Sequence, residues 1–268
     1  MITAGSCFSG IGCLELGLMR SIPNLHVLWQ IEKDTFCQKI LKRHFNSLIY
    51  NDISTINTNN LPKVDVIIGG YPCTDLSVAG SRRGINEGKR SNLYWKMWNI
   101  ICHIRPKIII MENVPNHLNE GFGDVLGSLA QIGYDAEWIC LSASRFGAPH
   151  KRERLFIVAY SMRLGFLEPE RLKKKIFEGG DCQLQFEKSV QSSMSKSIHS
   201  SDYNGSQYWK GSRPQPSVYR VDDGNTYRMD RIRALGNSVV PQCSEWIGRR
   251  IAESIIFKQL IYQKEIKK

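Results

Sequence analysis

Two stretches constrain the fold of this chain more than any others: residues 64–70 (VDVIIGG) and 106–113 (PKIIIMEN). Both are short, nearly all apolar and rich in β-branched side chains. Successive side chains of a strand point to opposite faces, so a strand that is apolar at almost every position is buried on both. Such strands belong to a parallel sheet with helices packed on each side. Further apolar runs at 2–7, 26–31, 136–141 and 154–160 read as strands, and amphipathic stretches at 12–20, 34–45, 91–104 and 122–132 read as helices. In 34–45, Phe36, Ile40 and Leu41 share one face, with Lys39, Lys42 and Arg43 outside it. The alternation predicts an α/β, doubly wound sheet.

The 268 residues suffice for one large domain, or for one domain with a smaller insert. No run of about 18 apolar residues is present, and the start MITAGSCFSGIG lacks a basic segment followed by an apolar one. Neither a membrane span nor a signal peptide is expected, and the expected location is the cytoplasm. None of the eight cysteines forms a CxxC pair, so no zinc ribbon is expected. The net charge of +11 favours a polyanionic partner, with nucleic acid first.

Character changes after Tyr160. Residues 163–227 are polar, and 189–201 (SVQSSMSKSIHSS) hold seven serines. That composition reads as loop or linker. Order is expected to return at the end, where Trp246, Ile247, Ile251 and Ile255 fit one helical face with Pro241 near its start. The expected organisation is a core domain over 1–162, an insert over 163–227, and a segment, 228–268, that returns to the core.

Residues 6–18 (SCFSGIGCLELGL) place Gly10 and Gly12 between a strand and a helix, so a ligand can approach backbone N–H groups at a helix N-terminus. No GK[ST] follows, which excludes a P-loop. Glu32 comes twenty residues after Gly12, at the end of HVLWQIE, where a carboxylate suits ribose hydroxyls. Asp52 could serve a ribose or adenine edge. The bland alternative, a tight turn with solvated acids, stays open on these residues alone.

Three further strand ends carry reactive groups. Cys73, in GGYPCTDLS (69–77), follows Pro72, which fixes the loop and restrains Tyr71 to extended backbone. Cys73 is either a nucleophile or a structural thiol. Glu112 ends IIIMEN beside an apolar wall that favours a raised pKa and an acid role; the alternative is a capping or salt-bridging carboxylate. Arg152 and Arg154 alternate on entry to a strand, which would set two guanidiniums on one face for a carboxylate, a phosphate or a base carbonyl. The bland alternative is a solvated strand edge. In an open α/β sheet these strand ends converge on one crevice.

The sequence resembles the cytosine-C5 DNA methyltransferases of bacterial or phage type. FSGIG (8–12) resembles the cofactor-binding glycine motif, Glu32 the ribose-binding acid, and Asp52-Ile53 the next cofactor motif. Tyr71-Pro72-Cys73 resembles the catalytic Pro-Cys motif, Glu112-Asn113-Val114 the Glu-Asn-Val motif, HKRER (150–154) the Gln-Arg-x-Arg segment, and RIRALGNSVVP (231–241) the Gly-Asn-Ser motif. The likeness covers about 1–160 and 217–260 in unbroken order. Thr74 stands where many members carry Gln, Lys33 where some carry an aromatic that stacks on adenine, and His150 in place of a common Gln.

The resemblance implies an S-adenosylmethionine-dependent methyltransferase with a Rossmann-like sheet and a smaller target-recognition insert at 163–227. It implies S-adenosyl-L-methionine held by Phe8, Ser9, Gly10, Gly12, Glu32, Asp52, Ile53, Pro72, Leu93, Asn237 and Ser238, and no metal. It implies that Cys73 adds to C6 of a flipped-out cytosine, that Glu112 holds or protonates N3, that Arg154 steadies O2, and that Arg152 assists in positioning. Residues 77–91 fit a closing lid with Gly80, Gly84 and Gly88 as hinges and Arg82, Arg83, Lys89 and Arg90 for phosphates; the bland alternative is a mobile basic loop. Trp209, Arg213 and Arg220 are candidates for structure or DNA contact in the insert. Duplex DNA is the implied partner, with a monomer expected. A restriction-modification setting with a cognate endonuclease, phage self-protection and regulation are all open. Competing readings are a tRNA methyltransferase of the same superfamily, whose Cys-Phe-Thr segment is not found, a DNA-binding pseudoenzyme, and a nicotinamide dehydrogenase, which would leave the Pro-Cys and Glu-Asn-Val motifs without a role.

Overall fold

The computed structural model describes residues 1–72, 92–162 and 226–266. Cys73, the lid expected at 77–91, and nearly all of the insert, including Trp209, Arg213 and Arg220, lie outside the described residues. The two apolar runs form β4 (Val66–Gly69) and β5 (Ile108–Asn113). The others form β1 (Ile2–Cys7), β2 (Leu25–Ile31), β6 (Tyr134–Ser142) and β7 (Glu153–Ser161). A further strand, β3 (Leu48–Tyr50), is three residues long and half exposed, too short for its pattern to announce it. Helices α1 (Cys13–Ser21), α2 (Thr35–His44), α3 (Asn92–Ile104) and α4 (Phe122–Gln131) match the expected positions closely. The last part of the chain is α5 (Thr226–Asn237), α6 (Pro241–Glu253) and α7 (Ile255–Ile266).

The seven strands form one sheet in the order β3-β2-β1-β4-β5-β7-β6. Pairing is parallel from β3 through β5. It is antiparallel where β7 inserts between β5 and β6. The parallel pairing expected of the two apolar runs holds for β4 and β5, and the sheet turns antiparallel at β7. Residues 143–152 connect β6 to β7 without a crossover helix, so the chain folds straight back and the two strands must run in opposite senses.

Alternate residues of each strand feed two cores. Ala4, Val66, Ile68, Ile110 and Phe156 face α1, α6 and α7 on one side. Trp29, Ile67, Ile109, Met111 and Ile157 face α3 and α4 on the other. This is the two-sided burial that the apolar runs required. The expected single C-terminal helix is two: α6 begins at Pro241, whose missing N–H costs nothing at N1, and stops at Glu253 before Ser254, and Ile255 is the first residue of α7. Among the described residues no helix is long and apolar enough to cross a membrane.

Helices α1 and α6 pack in close contact, and that contact depends on Gly17. A Cβ there would lie 2.1 Å from Ser244 Oγ, 2.2 Å from the Pro241 carbonyl oxygen and 2.7 Å from the Glu245 amide nitrogen. Two of those atoms are backbone and cannot turn aside. Gly17→Ala should therefore destabilise the protein by about 2 kcal/mol in urea unfolding, the cost of overpacking, despite the roughly 1 kcal/mol that alanine gains over glycine in a helix interior. A stabilised variant would show that α1 and α6 do not pack this closely.

Candidate functional site

The carboxyl ends of β1, β2, β4 and β5 surround a cavity of about 650 Å³, within the size range of small-molecule sites. After β1 the chain turns through Phe8, Gly10 and Gly12 with positive φ (58°, 55° and 82°) and enters α1, whose N-cap is Gly12. Phe8 and Gly10 line the cavity. Gly12 does not: a Cβ there would sit 2.3 Å from the Phe45 ring, so this glycine serves the packing of the loop against α2. Ser9 is buried and donates to Ser6 Oγ (2.9 Å), beside a smaller adjoining cavity that it shares with Ser238 and Asn237.

Glu32 follows β2. Its Oε2 accepts the Gly10 N–H and its Oε1 accepts the Asp34 N–H, each at 2.7 Å. One carboxylate thus ties the glycine turn to the start of α2 while lining the cavity. Asp52 and Ile53 line it too, and Asp52 pairs with Lys33 at 2.8 Å. That ammonium and the Ser54 N–H hold the Asp52 carboxyl below its usual pKa. Pro72 and Leu93 complete this side.

On the other side stand Glu112 and Arg154. Their meeting follows from the antiparallel insertion of β7: Glu112 pairs in register with Phe156 and Asn113 with Leu155, which brings Arg154 to the carboxyl end of β5. Arg154 Nε lies 2.9 Å from Glu112 Oε1. Burial nevertheless raises the Glu112 pKa to about 7; the Arg154 and Arg152 charges oppose the shift without cancelling it. Desolvation prevails because the carboxyl packs over Gly70, where a Cβ would sit 2.9 Å from Oε2. A glycine at 70 is what leaves room for the acid.

The expected pairing of Arg152 with Arg154 on one strand face is corrected. Arg152 lies before β7 with φ at +35°. Its Nε donates to the Ser238 carbonyl (2.9 Å), and its Nη2 to the Gly236 (2.7 Å) and Ser238 carbonyls. It therefore clamps the end of α5 instead of presenting a free fork. At the other end of the cavity Arg233 reaches Asp34, the N-cap of α2, at 2.5 Å. Asn237 enters the cavity wall between these two anchors.

Several contributors were missed in the sequence. Arg233 lies inside the quoted RIRALGN block but follows no periodicity that marks it. Asp34 carries a helix-start signal only. Glu15 is fully buried, accepts from Ser6 Oγ (2.6 Å) and Gln30 Nε2 (3.3 Å), and has its pKa raised by that burial.

The Glu112 environment makes a prediction. A carboxyl whose folded pKa is raised holds its proton more tightly in the native state, so its contribution to stability is full at low pH and is lost as pH rises from 4.5 to about 7. Carbon-13 NMR should place its midpoint near 7, and Arg154→Met should move it higher. Glu112→Gln should remove a stability slope of about 1.4 kcal/mol per pH unit in that window. A midpoint near 4.5 would mean the carboxyl is solvated.

Comparison with known proteins agrees with this architecture. Residues 2–217 match the family described as C-5 cytosine-specific DNA methylase. Type II methyltransferase M.Bsp6I of Bacillus sp. (strain RFL6) is 32% identical over 166 residues, covering 60% of this chain and 52% of that protein. Type II methyltransferase M.FnuDI of Fusobacterium nucleatum is 37% identical over 159 residues, covering 58% and 46%. The chain thus spans about half the length of the curated relatives it matches. The crystal structure of the S. pombe Dnmt2 methyltransferase superposes with a TM-score of 0.53 at 16% identity, covering 99% of this chain and 98% of that one, which speaks for the fold alone. The sheet is the Rossmann-like sheet of S-adenosylmethionine-dependent methyltransferases, and the chain belongs to the C-5 cytosine-specific DNA methylase family.

Proposed function

We propose that this chain is a DNA (cytosine-5)-methyltransferase that acts on a cytosine flipped out of a specific duplex site, with Cys73 as nucleophile. The observation that carries this reading is the placement of Glu112 and Arg154, 2.9 Å apart, on the same cavity wall as Tyr71-Pro72, the residues that lead into Cys73. A nicotinamide dehydrogenase would have no use for a carboxyl half-protonated near neutrality on the same cavity wall as Tyr71-Pro72.

The residues fit the cofactor. The cavity has nucleoside dimensions, and its polar groups suit S-adenosyl-L-methionine: the helix N-terminus after the glycine turn for a carboxylate, Glu32 for ribose hydroxyls, Asp52 and Ile53 for the adenine end, and Asn237 with Ser238 for the amino-acid end. Phe8, Pro72 and Leu93 supply apolar walls. When bound, the cofactor supplies an electrophilic methyl group.

C5 of cytosine is a weak nucleophile. Addition of the Cys73 thiolate to C6 breaks the C5–C6 double bond and moves its electron pair towards C5. Glu112 stabilises the adduct by giving or sharing its proton with N3, a task suited to a carboxyl with a pKa near the working pH. Arg154 holds Glu112 in place and steadies the cytosine O2. Arg152 contributes from a distance by fixing the end of α5. After C5 is methylated, its proton leaves and the C6–sulfur bond breaks, which restores the ring and releases the Cys73 thiolate, while N3 gives its proton back to Glu112. Covalent catalysis replaces one difficult step by two easier ones. A stacked base cannot reach such a site, so the target flips at a cost of a few kcal/mol. The +11 net charge supports phosphate contacts that offset it. In this reading residues 1–162 carry cofactor and catalysis, 163–227 read the target, 228–268 complete the cavity, and the enzyme works as a cytoplasmic monomer.

A duplex with 5-fluorocytosine at the target tests the covalent step, because fluorine cannot leave as the C5 proton does. With S-adenosylmethionine, wild type should form a denaturant-stable protein–DNA adduct, Cys73→Ser none, and Glu112→Gln at least about 100-fold more slowly. An adduct that survives Cys73→Ser would remove Cys73 from the mechanism.

A further inference from the structure

Beneath the cavity wall, Tyr71 is 5% exposed, and its hydroxyl lies 2.5 Å from Nε2 of the fully buried His117. The other ring nitrogen, Nδ1, lies 2.8 Å from the Glu120 carbonyl oxygen. A carbonyl only accepts, so Nδ1 carries the imidazole proton and Nε2 offers a lone pair to the tyrosine hydroxyl. Burial lowers the imidazole pKa, in keeping with a neutral ring.

Tyr71 is held from several sides. Its carbonyl oxygen accepts from Asn113 Nδ2 (3.3 Å), and Asn113 Oδ1 in turn accepts from the Val114 N–H (2.9 Å). Its ring packs on Tyr94 of α3 at 5.0 Å and edge-on to His117 at 5.5 Å. His117 rests on Phe122 of α4. An apolar pair would fill this space without the cost of burying a hydroxyl and an imidazole. What the polar pair adds is direction: the hydrogen bond to Nε2 orients the hydroxyl, and with it the ring and the backbone attached to it. The backbone in question is Gly70–Pro72. It forms a wall of the cavity, and Glu112 Oε2 packs so close that a Cβ at Gly70 would lie 2.9 Å from it.

We propose that His117 is a positioning residue of the methyl-transfer site: through the Tyr71 hydroxyl it sets Gly70–Pro72 against Glu112. The proposal rests on the reading of Cys73 and Glu112 as partners.

Three variants test it: Tyr71→Phe, His117→Leu, and the two combined. Tyr71→Phe takes the hydroxyl from Nε2, and His117→Leu takes the imidazole from both the Tyr71 hydroxyl and the Glu120 carbonyl, so each should lower the urea midpoint. The double variant removes the hydroxyl and the imidazole together, leaving only the Glu120 carbonyl short of this donor, and should recover part of it. Positioning should not recover. In the double variant, iodoacetamide should alkylate Cys73 at least about threefold faster in the ligand-free protein, followed by peptide mass spectrometry with Cys140 as internal control, and kcat should fall about tenfold with KM for S-adenosylmethionine within about twofold. A double variant with wild-type or slower Cys73 alkylation and wild-type kcat overturns the proposal, as does a kcat that recovers with the urea midpoint. If wild type transfers no methyl group, the methyltransferase reading fails, and the alkylation ratio alone decides on His117.

Discussion

The antiparallel pairing of β7 with β5 is the constraint on which the site depends. A nine-residue strand spans roughly 30 Å, so a parallel β7 would have left Arg154 at the far edge of the sheet from Glu112. Run the other way, with Asn113 opposite Leu155, it brings the guanidinium to the carboxyl at 2.9 Å. Both then sit where the carboxyl ends of the parallel strands open a crevice. The arginine keeps a buried acid tolerable, and the burial keeps the acid's pKa near neutrality. Neither alone yields a buried carboxyl with a pKa of about 7.

The cavity is closed by segments far apart in the chain, and charged hydrogen bonds hold them. Arg152, just before β7, grips the carbonyls of Gly236 and Ser238, and Arg233 of α5 grips Asp34 at the head of α2. These two contacts seat α5, and thereby Asn237, over the glycine turn. Packing of α6 on α1 at Gly17 supports the same arrangement from behind, because α1 begins where that turn ends. Glu32 joins the turn to α2 through two 2.7 Å hydrogen bonds. The site is thus assembled from the return of the C-terminal helices onto the sheet.

Much of this was legible in the sequence, for physical reasons. Strands buried on both faces must be continuously apolar, so β4 and β5 announced themselves, and reactive residues at their carboxyl ends pointed to one crevice. Glu32, Asp52, Glu112 and Arg154 all line the cavity as the spacing suggested. What stayed hidden depends on three-dimensional partners. Strand sense is absent from an apolar pattern, so the reversal of β7 could not be read. β3 has three residues and no usable periodicity. Arg152 looked like Arg154 because alternation assumes regular strand backbone, whereas its φ of +35° turns it away. Gly12 looked like a ligand contact because a glycine needed for packing on Phe45 has the same letter as one needed for a ligand. His117 carried no signal, since its role exists only once Tyr71 has folded against it.

The most direct measurement is transfer of labelled methyl from S-adenosylmethionine to unmethylated duplex DNA of diverse sequence, wild type beside Cys73→Ser, with bisulfite sequencing of the product. The account predicts 5-methylcytosine at one short motif for wild type and none for the variant, and the same reads give the recognition site. A wild-type protein that binds S-adenosylmethionine yet labels no DNA, or labels RNA instead, would contradict it.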